Sequence, residues 1–340
     1  MKEEKQSGSR DGKIEILRFA ASLMIVNGHM VYTGATFSRP FSNAWYYVEF
    51  FLILTGYFTM RHFAVKTENP FVYTWEKFRR FLPFTVPAIL CYYLYESLHY
   101  LAARDLTGLA RNLLSLPLEL SLLSAATPWG NHIFTLWFLS AMLVTLPLVC
   151  LIIRIPNRYI VGAIAIICPL VYYLHAYDYG SHVYPNQLIR TFCGLMLGVA
   201  VYFLTLAVRK VPKHPVWRVI WTVLLVVSYA VPLITGATNT TFLWGNLLCF
   251  IVCVTLTFSD VACLPKLSGP VPAYLGRLSM PVYIWQLIVA AVVLDLGKHF
   301  SLSAPVRLVL LLLGCIAVGV VNVALYDVLR HKLSRKKRAK

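Results

Sequence analysis

Arg18 and His29 stand eleven residues apart in one apolar stretch near the N-terminus, GKIEILRFAASLMIVNGHMVYTG. Read as a helix, that spacing is ~16 Å along the axis and about 20° from the same face. One stripe then carries a cation at one end and an imidazole toward the other. Glu49 stands early in the next apolar stretch, AWYYVEFFLILTGYFTM, at a depth comparable with His29 on an antiparallel neighbour. An imidazole changes charge near neutral pH. A carboxylate beside it can fix its tautomer and balance the charge it gains as a general base. Ionisable groups among apolar residues are costly, so all three mark a candidate catalytic site. A plainer interpretation stands beside it: a histidine satisfied by a neighbouring helix, an arginine reaching for the membrane surface and an acid facing outer water.

A second group follows in WEKFRRFLPFTVP, where Lys77, Arg79 and Arg80 crowd the start of a third apolar stretch. Three cations there serve either as a membrane anchor or as a clamp for phosphate groups. Glu96 and His99, one turn apart near the far end of that stretch, and His132 beyond it, are candidate substrate-binding groups. Asp178, Asn186 and the aromatic side chains Trp45, Tyr46, Tyr47 and Trp129 also fall where an acceptor could be held; the aromatics equally suit an interfacial belt. Gly56, within Thr55-Gly56-Tyr57, permits close helix approach. The eight cysteines lie in or beside apolar runs. They suit small buried hydrophobes better than a disulfide or metal site. Arg277 either serves a binding pocket or reaches for the interface, and Asn239-Thr240-Thr241 is a glycosylation sequon.

The elements that must position these residues are membrane helices. Hydrophobic residues make up 59% of the 340 and charged residues only 13%, half of what a soluble surface carries. Ten stretches are long and apolar enough to span: 14–34, 44–62, 82–102, 133–153, 159–176, 189–208, 217–236, 242–263, 275–295 and 306–329. With the N-terminus inside, 25 of the 31 Lys and Arg fall on the cytoplasmic side. Only Arg39, Arg104, Arg111, Arg190, Lys298 and Arg307 fall outside. That asymmetry places both termini in the cytoplasm. Residues 106–126 carry Arg111, Pro117 and Glu119 and suit an interfacial or re-entrant helix on the outer face. The expected fold is an all-α polytopic bundle: a cytoplasmic tail over 1–13, a transmembrane domain over 14–329 and a basic cytoplasmic tail over 330–340 lying near membrane lipid. The net charge of +17 sits in short loops and the tail, which excludes nucleic acid as the partner. The first apolar stretch is long and holds Arg18 and His29, unlike a cleavable signal peptide.

Five motifs in order, R-x10-H, V-E-F-F-x-x-x-T-G-Y, K-x-R-R-F-x-P, LWFLSAMLV (136–144) and LSMPVYIWQ (278–286), resemble the acyltransferase-3 family of membrane acyltransferases from residue 13 to about 290. The resemblance implies an acyl-CoA-dependent O-acyltransferase of the inner membrane, without metal, moving an acyl group, often acetyl, from cytoplasmic acyl-CoA to hydroxyls of an outer-face or lipid-linked carbohydrate. It makes His29 the essential histidine, Arg18 its R-x10-H partner, Glu49 the acidic residue of the second helix, and Lys77, Arg79 and Arg80 the basic motif facing CoA; the expected mechanism then has His29 as general base, steadied by Glu49. Two departures stand out. Thr55 replaces the serine many members carry, which keeps a hydroxyl, and Gln286 stands where many have histidine, which puts proton transfer at that position in doubt. Without a fused esterase-like domain, the expected partners are glycosyltransferases or a second copy of the chain. The alternative is a transporter or flippase for a lipid-linked sugar or small solute. It lacks the repeated halves such proteins often show and has no need of the R-x10-H pattern.

Overall fold

The computed structural model describes residues 12–34, 46–128, 133–176, 184–212, 214–234, 240–263 and 267–338. His132, Trp45, Trp129, Asp178 and Asn239 lie outside the described residues. The described residues form α1 (Gly12–Gly28), α2 (Tyr47–Phe63), α3 (Pro70–Ala102), α4 (Leu106–Leu120), α5 (Trp137–Ile153), α6 (Arg158–Val171), α7 (Asn186–Val208), α8 (Pro215–Ile234), α9 (Thr240–Ser259), α10 (Pro270–His299) and α11 (Ala304–Arg338), joined by turns. Ten of these fall on the ten apolar stretches, and α4 falls on the interfacial one.

Local chemistry sets the helix starts. Asn69 caps α3 by accepting from the Phe71 amide at 2.9 Å, with Pro70 in the first turn. Asp105 caps α4 through the Gly108 amide at 2.8 Å, and Asn157 caps α6 through the Tyr159 amide at 2.9 Å. Each cap satisfies an amide that the helix itself leaves unpaired. The 33 residues of α3 reach about 50 Å, against ~30 Å of hydrocarbon. Its first three turns, which carry Lys77, Arg79 and Arg80, therefore extend past the apolar layer.

Among the described residues, eight helices are long and apolar enough to cross a membrane. Ten crossings were expected, and the difference is informative. α2 has 17 residues, about 26 Å, and its side chains from Tyr47 to Met60 are mostly buried. A helix jacketed by other helices need not match the lipid. The apolar part of α9, Trp244–Ser259, is also short. The outer helices turn apolar side chains outward: Trp217, Val219 and Val223 on α8, Ile166 and Ile167 on α6, and Leu313 on α11 are all exposed. Such a surface is satisfied by lipid and not by water.

Inside, the helices form three packed groups: a small one joins α8 to α9 through Leu225, Cys253 and Leu256, and the other two share α10. One gathers around α2, α5 and α7 and takes Tyr283, Ile284 and Leu287 from α10. The other joins α1, α10 and α11 through Val26, Met30, Leu278, Val282 and Val293. α2 and α7 approach closely because glycines face each other. A Cβ at Gly56 would stand 1.9 Å from the Leu195 carbonyl oxygen, and one at Gly198 would stand 2.2 Å from that of Ile53. Backbone lies on both sides, so neither helix can give way. Gly198→Leu is therefore expected to abolish the monodisperse folded species in detergent. Gly162→Leu, at a position with open space around it, leaves the thermal melting curve unchanged. Equal melting of the two variants would contradict this packing.

Candidate active site

α1 ends at Gly28, and the chain tightens into a 3-10 turn, His29–Thr33, closed by Gly34 at φ 68°. The left-handed φ suits glycine. The turn is held from outside by one side chain. Arg307, at the start of α11, donates to the carbonyls of Thr33 at 2.9 Å, Gly297 at 3.0 Å and Leu302 at 3.0 Å. An arginine can do this because its planar fork carries five donors. It ties the turn that bears His29 to the end of α10.

The His29 ring points into the bundle, at the seam between the two packed groups that share α10. Its Nδ1 lies 2.9 Å from Oε1 of Gln286 on α10. With a carbonyl oxygen opposite, Nδ1 carries the proton, and Nε2 keeps its lone pair. Tyr32 flanks the ring at 5.6 Å between centroids, and Phe134 meets it edge-on at 6.1 Å. Phe134 belongs to a 3-10 turn, Phe134–Leu136, that precedes α5. Tyr283 donates to the Thr135 carbonyl at 2.6 Å and fixes that turn to α10. The chain leading into it is held by Glu119, which is buried on α4 and accepts from the Ile133 amide at 3.1 Å and the Ser124 hydroxyl at 3.3 Å. Glu119 therefore has a positioning role that the sequence reading, which used it only against a membrane crossing, did not identify.

Glu49 is not brought to His29. Its carboxylate accepts from Arg190 Nε at 2.6 Å and from the Tyr173 hydroxyl at 2.5 Å. The Arg190 guanidinium lies 5.0 Å over the Trp137 ring. Glu49 and Arg190 are 1% and 2% exposed, so this is an ion pair removed from solvent, joining α2 to α7. Equal depth on neighbouring helices suggested the His29 pairing, but depth does not fix which way a side chain turns about its helix. Arg190 had a signal of its own: an arginine in the apolar run NQLIRTFCGLMLG needs a buried partner of opposite charge. Tyr173 sits in a π-helical turn, Tyr172–Ala176, the kind of local distortion that often marks functional sites.

At the other end of α1 the structure collects cations. Arg18 pairs with Glu15 at 3.0 Å. Lys77 Nζ lies 5.1 Å from the centre of the Tyr73 ring, and both Arg18 and Arg80 stand close enough to act on its charge. Arg80 pairs with Glu76 at 3.2 Å, and Arg79 is exposed. Arg277 is engaged by Asp327 across α10 and α11 at 2.5 Å. A single basic end thus joins α1 to α3, ~16 Å along α1 from the imidazole.

Of the substrate-binding candidates, His99 and Glu96 lie at the end of α3 away from the cations. His99 Nε2 is 3.2 Å from Asp295 of α10, and Tyr95 donates to that same carboxylate at 2.5 Å. Glu96 stands one turn along α3 from Tyr92, close enough to act on its hydroxyl. Asn186 opens α7. All eight cysteines are free.

Apolar helices facing lipid, and ionisable side chains buried between them, define a multi-pass membrane protein with an internal polar centre. A family model described as an acyltransferase domain matches residues 11–325, and the chain belongs to that family, acyltransferase-3. It is a membrane acyltransferase. No curated protein and no solved structure matches the chain.

Proposed function

We propose that this protein is an O-acyltransferase of the cytoplasmic membrane that moves an acyl group, acetyl in the simplest case, from cytoplasmic acyl-CoA to a hydroxyl of an extracytoplasmic or lipid-linked carbohydrate. The observation that carries this reading is the His29 imidazole. It faces the bundle interior, with Nδ1 satisfied by Gln286 at 2.9 Å, in the turn that follows α1, the helix that carries Arg18 toward the basic cluster of α3. A general base needs one nitrogen oriented and the other free.

The basic end takes the phosphates of CoA. Lys77 and Arg80, with Arg18 beside them, supply charge-assisted hydrogen bonds to phosphate oxygens. The pantetheine arm runs along α1 and brings the thioester to His29. The carbohydrate arrives from the opposite face, past the ends of α3 and α10, where Glu96, His99 and Asp295 offer polar contacts. His29 Nε2 accepts the hydroxyl proton as the oxygen attacks the thioester carbon. The tetrahedral intermediate collapses by breaking the carbon–sulfur bond. The CoA thiolate leaves with the electron pair and recovers the proton from His29. Glu49 serves the reaction from a distance by holding Arg190 and the wall that α2 and α7 build.

The test uses membranes of cells that make the chain and acetyl-CoA labelled in the acetyl group. Label is expected in the carbohydrate fraction, with one CoA thiol released per acetyl transferred. Flux of a solute without any dependence on acetyl-CoA sinks the proposal. Donor binding is tested separately. Lys77→Ala is expected to raise KM for acetyl-CoA roughly tenfold or more, since a hydrogen bond to a charged group contributes ~1.5–3 kcal/mol. Arg80→Ala raises it by less, because the Arg80 side chain is 75% exposed and shared with Glu76. An unchanged KM in the Lys77→Ala, Arg80→Ala double variant would move the donor site elsewhere.

A further inference from the structure

Gln286 is 1% exposed and uses only half of its amide. Oε1 accepts from His29 Nδ1 at 2.9 Å, while Nε2 has no hydrogen-bond partner among the described residues. An N–H donor buried and unpaired is disfavoured in a finished fold, and it calls for a ligand or a transient charge. A second such atom lies on the other element that touches the ring. Thr135 is 1% exposed, its Oγ also has no partner among the described residues, and it follows Phe134, whose ring meets His29 edge-on. Its carbonyl is held by Tyr283, three residues before Gln286 on α10.

We propose that Gln286 is a catalytic residue as well as the group that orients His29. It donates from Nε2 to the thioester oxygen as that oxygen gains negative charge, with the Thr135 hydroxyl as the second donor. The inference rests on the acyl-transfer reading above. In the addition step the hydroxyl oxygen bonds to the carbonyl carbon, the C=O electron pair moves onto oxygen, and His29 Nε2 takes the proton. The new oxyanion meets two donors that were fixed beforehand and pay no cost of reorientation at that moment. Preorganised donors of this kind are worth most where water is excluded. The neutral amide suits both tasks. Its oxygen accepts the Nδ1 proton and its nitrogen donates, whereas an ionised carboxylate can only accept.

That difference supplies the test, read as CoA thiol released from acetyl-CoA by wild-type and variant membranes. Gln286→Leu is expected to lower kcat 10²- to 10³-fold, with KM for acetyl-CoA within about threefold. Gln286→Glu keeps an acceptor for Nδ1 but removes the donor and sets a negative charge against the oxyanion, so kcat falls at least as far. Gln286→His restores both an acceptor and a donor and recovers much of the rate. Gln286→Glu turning over at the wild-type rate overturns the inference, because Gln286 then only orients the ring. Should the Gln286 variants fail to fold, Thr135→Val decides. It removes a hydroxyl that bonds none of the described residues, so its Tm holds or rises. A tenfold or larger loss of kcat supports the proposal, and a wild-type rate overturns it. Wild-type membranes that release no thiol would remove the acyl-transfer reading and this inference with it. Normal wild-type turnover together with normal Gln286→Glu turnover removes this inference alone.

Discussion

His29→Ala is expected to lower acyl transfer by at least 10²- to 10⁴-fold, the typical contribution of a positioned general base, while the chain still folds and still binds acetyl-CoA. The fold tolerates the change because, among the described residues, His29 gives one hydrogen bond, to Gln286, and meets Tyr32 and Phe134 through its ring. Losing it leaves the buried Gln286 oxygen unpaired, which costs about 1–3 kcal/mol. The turn that carries His29 is held by the three hydrogen bonds of Arg307, none of which involves the imidazole. Donor binding is spared because the cations lie ~16 Å away along α1. Label transfer, thermal melting in detergent and the affinity for acetyl-CoA should therefore separate cleanly. Near-normal transfer by a well-folded His29→Ala chain would falsify the assigned base. Loss of folding together with activity would make His29 a structural residue. The variant is also expected to resist rescue by higher acetyl-CoA concentration, since its defect lies in kcat and not in KM.

The architecture was readable because hydrocarbon imposes a length and a composition that a one-dimensional sequence records directly. Helix α4 was legible for the same reason: Arg111, Pro117 and Glu119 interrupt its apolar run, and it folds as a separate amphipathic helix. What the sequence does not record is the angle at which each helix presents its side chains. His29 and Glu49 were both recognisable as buried ionisable groups, yet the first turns to Gln286 and the second to Arg190. Those pairings join residues 257 and 141 positions apart, and no local pattern specifies them. Nor does α1 keep one period to its end. The switch to a 3-10 turn at His29 changes the angle per residue from about 100° to about 120°. The stripe drawn from Arg18 therefore drifts at the residue that matters most. The basic cluster shows the opposite case. Lys77 and Arg80 are three residues apart on one helix, so their proximity was local information, and only the arrival of Arg18 from α1 beside them required the fold.

The Glu49–Arg190 pair carries a large expected effect on stability. Removing either partner leaves the other charge buried without its counter-ion, which costs about 3–5 kcal/mol in buried pairs. Both side chains are almost fully buried, so little water is at hand to compensate. Glu49→Ala also strips the Tyr173 hydroxyl of its acceptor, and Arg190→Ala removes the cation from the face of Trp137. Each single variant is thus expected to melt well below the wild type in detergent. The double variant, Glu49→Leu with Arg190→Leu, removes both charges and fills much of the same space, so most of the lost stability returns. That double variant also separates support from catalysis. With folding recovered, it is expected to keep a large part of the wild-type kcat, because neither residue touches the imidazole and Gln286 still orients it. A stable double variant as inactive as His29→Ala would instead return Glu49 to the chemistry. Melting temperatures that add, with no recovery in the double variant, would mean that the two charges are not coupled. The 2.6 Å contact between them argues otherwise.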